Sequence, residues 1–213
     1  MRGLILLLCC AVMLASSRPA AAHPHVFVSV SAEIEYDAGG QLTGIRHRWS
    51  FDEMYSASAV LGLDKNGDGK YDRSELQELA KINVESLKEF DYFTFVQIEG
   101  VPLAFVDPVD YFVEADDAGL LTLHFTLPAK TPLKHGSLKV DLSIYDPSFF
   151  IAFSFAETSP VTLASGAPPG CRVAVKKPNE QEAAAQLSED MFSGDANVNF
   201  GVTYAETAEV VCQ

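Results

Sequence analysis

Residues 64–75 read DKNGDGKYDRSE, with short oxygen-bearing side chains at Asp64, Asn66, Asp68 and Asp72. Counted as a twelve-residue calcium loop, Asp64 stands at position one, Asn66 at three, Asp68 at five, Lys70 at seven, Asp72 at nine and Glu75 at twelve. Calcium takes six to eight oxygens at ~2.3–2.6 Å, which alternating carboxylates and amides along one loop can supply. Lys70 would contribute only its backbone carbonyl, and Gly69 sits where the loop must turn sharply. Glu75 opens the following helical pattern and can close the site with two oxygens. The structural alternative is a solvated acidic turn that keeps the pattern without binding. Tyr71 stands where a paired loop would carry an aliphatic residue, and no second loop occurs in the chain. A lone loop suits a structural clip of weak affinity, ~10⁻⁴–10⁻³ M, rather than a cooperative sensor.

Five histidines form the second chemical feature: His23, His25, His47, His124 and His135. The chain opens MRGLILLLCCAVMLASSRPAAA, with one early arginine, a short apolar run and a small-residue site, the pattern of a secretory signal. Cleavage is expected between Ala22 and His23, so residues 1–22 are read as a signal peptide and not as a membrane anchor. His23 then carries a free α-amine beside its imidazole, and His25 projects to the same side of an extended chain. Such nitrogen donors suit zinc, copper, nickel or cobalt. Pro24 has no N–H and blocks backbone-amide chelation at that position. The alternative is an exposed strand end. His47 shares a face with Ile45 and Trp49 and reads either as a satisfied buried histidine or as a further ligand. His124 alternates with Thr122 and Thr126 on a polar face and is a candidate ligand; His135 lies in a Pro-Leu-Lys-His-Gly loop. Asp146, in YDPSFF, is either turn chemistry or a further ligand.

Cleavage leaves Cys171 and Cys212, an even pair that an exported chain is expected to join as a disulfide. The 15 basic residues less Arg2 and Arg18 leave 13 against 29 acidic ones, a net charge of −16. That excess argues against nucleic acid and anionic membrane surfaces and favours cations. No GxSxG, HExxH, phosphate loop or nucleotide fingerprint occurs. No enzyme is therefore expected, unless an activity runs through a metal.

Strands and helices must position these groups. Val26 to Tyr36 alternates with period two, Asp37 to Gly40 supplies a turn, and Leu42 to Phe51 returns as the second strand of a hairpin. Asp52 to Leu63 and Ser74 to Phe90 carry apolar residues at helical spacing on either side of the acidic loop. Strands are predicted over 93–99, 103–106, 111–115, 120–127, 138–144, 149–155, 161–163, 172–175 and 208–212, with a helix over 180–191. The expected fold is mainly β (α+β): one β-sandwich-like antiparallel domain over 23–213, an EF-hand-like helical insertion at 52–90, and a C-terminal helix.

The signal followed at once by HPHVFV, the RWSFDE segment at 48–53, the DKNGDG loop and YDPSFF together resemble domain-of-unknown-function family 1007. Its members are exported bacterial proteins described as the periplasmic component of an uncharacterised ABC-type transport system, with genes near nickel/cobalt-type transporters. The resemblance covers nearly the whole mature chain. It implies a periplasmic location, transition-metal handling and an inner-membrane metal transporter as partner. The family's HPH falls on His23 and His25, its Asp-rich loop on Asp64 to Glu75, and its YDP on Tyr145 to Pro147.

Three readings follow: a periplasmic metal-binding accessory protein with a structural Ca2+ loop, a copper enzyme with an N-terminal histidine brace, or a calcium-dependent interaction module. A third imidazole close to the first two is essential to the copper idea.

Overall fold

The computed structural model describes residues 24–134, 139–179, 181, 183, 185–186 and 199–212. The period-two run is one eleven-residue strand, β1 (Val26–Tyr36), paired antiparallel with β2 (Gln41–Phe51). Asp37 builds the turn between them, its Oδ1 accepting from the N–H groups of Gly39 and Gln41 at 2.8 Å each. The core face of β1 carries Val28, Val30, Ala32 and Ile34, all essentially buried, as the alternation requires.

Asp52 ends β2 and starts the helical segment. Its Oδ1 accepts from the Tyr55 N–H (2.8 Å), capping α1 (Glu53–Ala59), while its Oδ2 accepts from the Phe27 N–H of β1 (2.7 Å). α1 is shorter than the predicted Asp52–Leu63. The chain leaves the helix at Val60, and Gly62 follows at φ +78°. The acidic loop then leads to α2 (Gln77–Leu87), likewise shorter than predicted. A 3₁₀ turn over Lys88–Phe93 follows, with Asp91, Tyr92 and Phe93 at φ +51°, +54° and +49°.

The remaining strands are β3 (Thr94–Ile98), β4 (Val101–Pro102), β5 (Val109–Ala115), β6 (Leu121–Lys134), β7 (Val140–Ile144), β8 (Ile151–Phe155), β9 (Val161–Leu163), β10 (Arg172–Lys176) and β11 (Thr207–Val211). They form two sheets, one in the order β5-β6-β2-β1-β8 with β9 also on β1, the other β10-β11-β7-β3-β4. The expectation of purely antiparallel pairing is corrected here: β8 and β9 both run parallel to β1, one after the other along its free edge. β8 follows β7, which belongs to the other sheet, so the chain crosses between sheets and need not reverse by a hairpin.

A short helix, α3 (Phe200–Tyr204), precedes β11 and was not anticipated. It rests on the YDP turn, where the Gly201 N–H donates to the Pro147 carbonyl (3.1 Å). Any Cβ at Gly201 would stand 1.8 Å from the Asp146 carbonyl oxygen, so the approach requires glycine. Of the helix predicted over 180–191, only residues 181, 183, 185 and 186 are described, and they are helical. No helix among the described residues is long and apolar enough to cross a membrane. Buried side chains of both sheets form one cluster, with Trp49, Phe125, Ile34 and Leu142 among its largest members.

Candidate cation sites

The acidic loop closes on itself through its own backbone amides. Asp64 Oδ1 accepts from the Gly67 N–H (2.7 Å) and the Asp68 N–H (3.2 Å), and its Oδ2 accepts from the Gly69 N–H (3.0 Å). Asn66 Oδ1 accepts from the Asp68 N–H (2.9 Å), and Asp68 Oδ1 accepts from the Lys70 N–H (2.8 Å). Gly69 sits at φ +77°, the left-handed conformation that the turn demands. Asp72 Oδ1 accepts from the Ser74 hydroxyl (2.6 Å) and from the Glu75 N–H (3.0 Å); the Ser74 hydroxyl first, then the amides, hold its carboxyl below the usual range.

Glu75 is the buried member, 6% exposed. Its Oε1 reaches back to the Lys65 N–H (2.8 Å) and its Oε2 takes the Asp72 N–H (3.2 Å), so the last residue of the loop pins both ends. The donor types and order fit calcium. In this arrangement the carboxylates serve amides instead of converging. Among the described residues, no three His, Cys, Asp or Glu side chains stand together so as to hold a metal ion.

A contact that sequence reasoning missed ties the loop to the larger sheet. Arg73 donates to Glu114 Oε2 (3.2 Å) and lies over the Phe112 ring, 3.7 Å from its centroid. Phe112 stacks on His124 at 4.4 Å, and His124 Nε2 pairs with Glu114 Oε1 at 2.9 Å. Desolvation acts to raise Glu114, yet the hydrogen bonds from Arg73 and His124 prevail and its carboxyl lies below the usual value. Burial lowers His124 despite the neighbouring carboxylate. The signal available was Glu114 alternating with Phe112 on one face of a predicted strand; the partner strand was not available from it.

The histidines are not drawn together. His23 and His135 lie outside the described residues, as does the expected signal peptide. His25 is exposed, stacks near Phe150 with centroids 4.8 Å apart, and its N–H donates to the Phe150 carbonyl (2.8 Å). His47 pairs in register with Ala32, seven residues along β1 from His25, a distance of roughly 23 Å at ~3.3 Å per residue. His124 lies opposite Arg48, two strands from β1, and faces away from the core on which His47 sits.

His47 is 1% exposed and both ring nitrogens are engaged. Trp49 Nε1–H donates to Nδ1 (3.2 Å), so the proton rests on Nε2, which faces Thr94 Oγ1 (3.4 Å); the Thr94 hydroxyl donates to the Tyr92 carbonyl (2.8 Å). The ring also stacks on Phe125 at 4.5 Å. This imidazole is a neutral bolt between the two sheets, with no lone pair to offer a metal. Burial lowers its pKa to about 3.

Asp146 is buried at 4% and organises its own turn. Its carboxylate accepts from the Ser148 N–H and hydroxyl (2.8 Å each) and from the Ile151 N–H (3.0 Å). Since Ile151 pairs with Val26, this turn is nonetheless the described proposed ligand nearest His25 along the sheet. Cys171 and Cys212 form a disulfide that joins the start of β10 to the end of β11.

Two relatives are similar to this chain in sequence. An "Uncharacterized protein" of Haemophilus influenzae is 26% identical over 195 residues, covering 90% of this chain and 92% of that one. An "Uncharacterized 15.5 kDa protein in trpE 3'region" of Spirochaeta aurantia is 33% identical over 110 residues, 49% of this chain and 73% of that one. The family model described as "Protein of unknown function (DUF1007)" matches residues 7–212, a span that holds the β1–β2 hairpin, the acidic loop, the YDP turn and the disulfide, and the chain belongs to that family.

Proposed function

We propose that this chain is an exported, periplasmic metal-binding accessory protein whose acidic loop holds calcium as a structural clip. The two sheets are read as the layers of a β-sandwich, and α1, the loop and α2 as an inserted EF-hand-like unit. The observation that carries the reading is Glu75: a buried carboxylate at position twelve whose two oxygens reach amides at positions two and nine. A loop already closed by its own amides requires only that carboxylate lone pairs turn inward to meet an ion.

Transition-metal capture is assigned to the mature N-terminus, with His23 and His25 as donors and Asp146 as the neighbouring carboxylate. The family resemblance and the net acidity support this part, and an inner-membrane metal transporter would be the partner. The roles of His47 and His124 in that site are set aside, since one lacks a free lone pair and the other lies two strands from β1, in line with Ser31, six residues along from His25. The copper-enzyme reading loses its third imidazole by the same geometry.

The calcium-dependent interaction module draws support from a separate contact. Arg73 belongs to the loop and braces Glu114 and Phe112, so an ion in the loop would stiffen the outer face of β5 and β6. Titration of the mature chain with zinc, copper and nickel tests the transition-metal part. Micromolar or tighter binding that is lost in His25→Ala is expected, and no binding at that level by any of the three overturns it.

A further inference from the structure

The core face of the larger sheet is not covered along its whole length. At the end where β1 begins, a cavity of about 430 Å³ opens between the sheet, α2 and the turn that follows α2. Its floor is Val26 and Val28 of β1, Trp49 and Phe51 of β2, and Phe153 of β8. Phe90 and Phe150, 50% and 46% exposed, stand at its rim. Interiors leave few voids larger than a water molecule, and the volume lies within the ~300–1,000 Å³ typical of ligand cavities.

The chemistry of the lining narrows the occupant. Among the described residues no Lys, Arg or His lines the space, so none of them would neutralise an anionic group. The one carboxylate among the described lining residues, Asp146, is committed to Ser148 and Ile151. The remaining polar groups are neutral: Ser86, Ser148, and the Tyr55 hydroxyl donating to Asn83 Oδ1 at 3.0 Å. Phe, Tyr and Trp rings dominate the wall, with Phe51 stacked on Tyr55 and Trp49 edge-on to Phe153. Such walls favour ring stacking and edge contacts.

A second observation bears on the same place. Asp91, Tyr92 and Phe93 are three successive non-glycine residues in the left-handed region, and this turn presents Phe90 and Phe93, stacked at 5.2 Å, to the cavity. Backbone of this kind persists where surroundings over-determine it, and it clusters at ligand clamps.

We propose that this cavity binds an uncharged, largely apolar small molecule with an aromatic or polycyclic body. It is separate from the acidic loop and borders the proposed N-terminal metal site through Asp146, and neither metal reading is needed for it. The neutral fluorophore N-phenyl-1-naphthylamine is the probe, titrated into the mature chain. A saturable rise in its emission at one probe per chain is expected, with matching quenching of Trp49, the single tryptophan. Ser86→Trp, which places an indole at the mouth from exposed helix surface, should weaken binding at least about tenfold. Phe90→Ala should weaken it too, and its exposed ring can be removed without opening the core. Phe27→Ala changes an exposed ring on the opposite face of β1 and should leave binding unaltered. Non-saturable emission in the wild type overturns the proposal, as does wild-type affinity in both Ser86→Trp and Phe90→Ala. Equal weakening by Phe27→Ala also overturns it, since the probe would then be adhering to exposed rings in general.

Discussion

Acidification should unlock the bolt between the sheets before it strips the surface ion pairs. His47 is neutral in the folded protein because burial holds its pKa at about 3, whereas an unfolded chain restores about 6.5. Between those values the unfolded state binds the extra proton, so stability rises with pH through the window and is lost as pH falls below about 6.5. The full difference of ~3.5 pH units corresponds to about 5 kcal/mol, and by pH 5 about 2 kcal/mol should already be gone. The perturbation is His47→Phe, which keeps the stack on Phe125 but leaves the Trp49 N–H without its acceptor. At pH 7.5 that variant should be less stable by about 1–3 kcal/mol. Towards pH 5 the gap should narrow or close, because only the wild type loses stability at up to ~1.4 kcal/mol per pH unit from this site. His124 titrates in both proteins and cancels. Urea unfolding followed by Trp49 emission is the assay, since this buried single tryptophan reports the core directly. Parallel stability–pH lines for the two proteins from pH 6.5 to 5 would refute the reasoning.

Other parts of the structure make separate claims. Reducing the Cys171–Cys212 bridge, which closes a sequence separation of 41, should cost about 4 kcal/mol in the chain-entropy account; urea midpoints with and without reductant check this. Asp52→Ala removes the cap of α1 and the acceptor for the Phe27 N–H at once, and a loss of about 1–3 kcal/mol is expected in thermal unfolding, with Asp52→Asn recovering part of it. Glu114→Gln removes the carboxylate that supports the protonated form of His124. The pKa of His124, read by NMR, should fall below its already lowered wild-type value, and no change would remove the pair from the account.

Much of this fold was legible because period and turn chemistry are local. The β1–β2 hairpin follows from alternation over 26–36 and the Asp-Ala-Gly-Gly turn, and the structure places it within a residue of that reading. β6 runs on to Lys134, past the expected end at Leu127, because Pro128 takes the Val106 N–H on its carbonyl (3.0 Å) and so turns its nitrogen away from β2, whose ladder loses no donor there. What was not legible is pairing. Nothing in the alternation of Ile151 to Phe155 says that its partner is β1 or that the pairing is parallel. The separation of His25, His47 and His124 likewise needs the register, for each residue taken singly has a plausible ligand's chemistry. The left-handed turn at Asp91–Phe93 carries no glycine to announce it. The aromatic cavity arises from where α2 and the second sheet stop covering the first, a property of packing that no single segment encodes.

The central claim is that the loop from Asp64 to Glu75 holds calcium, and terbium luminescence sensitised by Tyr71 tests it most directly. Tyr71 lies inside the loop, so a terbium ion seated there receives its excitation energy. The account predicts tyrosine-sensitised emission that saturates at one ion per chain, is displaced by calcium with a Kd of ~10⁻⁴–10⁻³ M, and disappears in Glu75→Gln. Calcium at ~100 times its Kd should then raise the unfolding free energy by about 2.7 kcal/mol in the wild type and leave the variant unchanged. Emission that calcium fails to displace at ~10 mM, or that survives intact in Glu75→Gln, would contradict it.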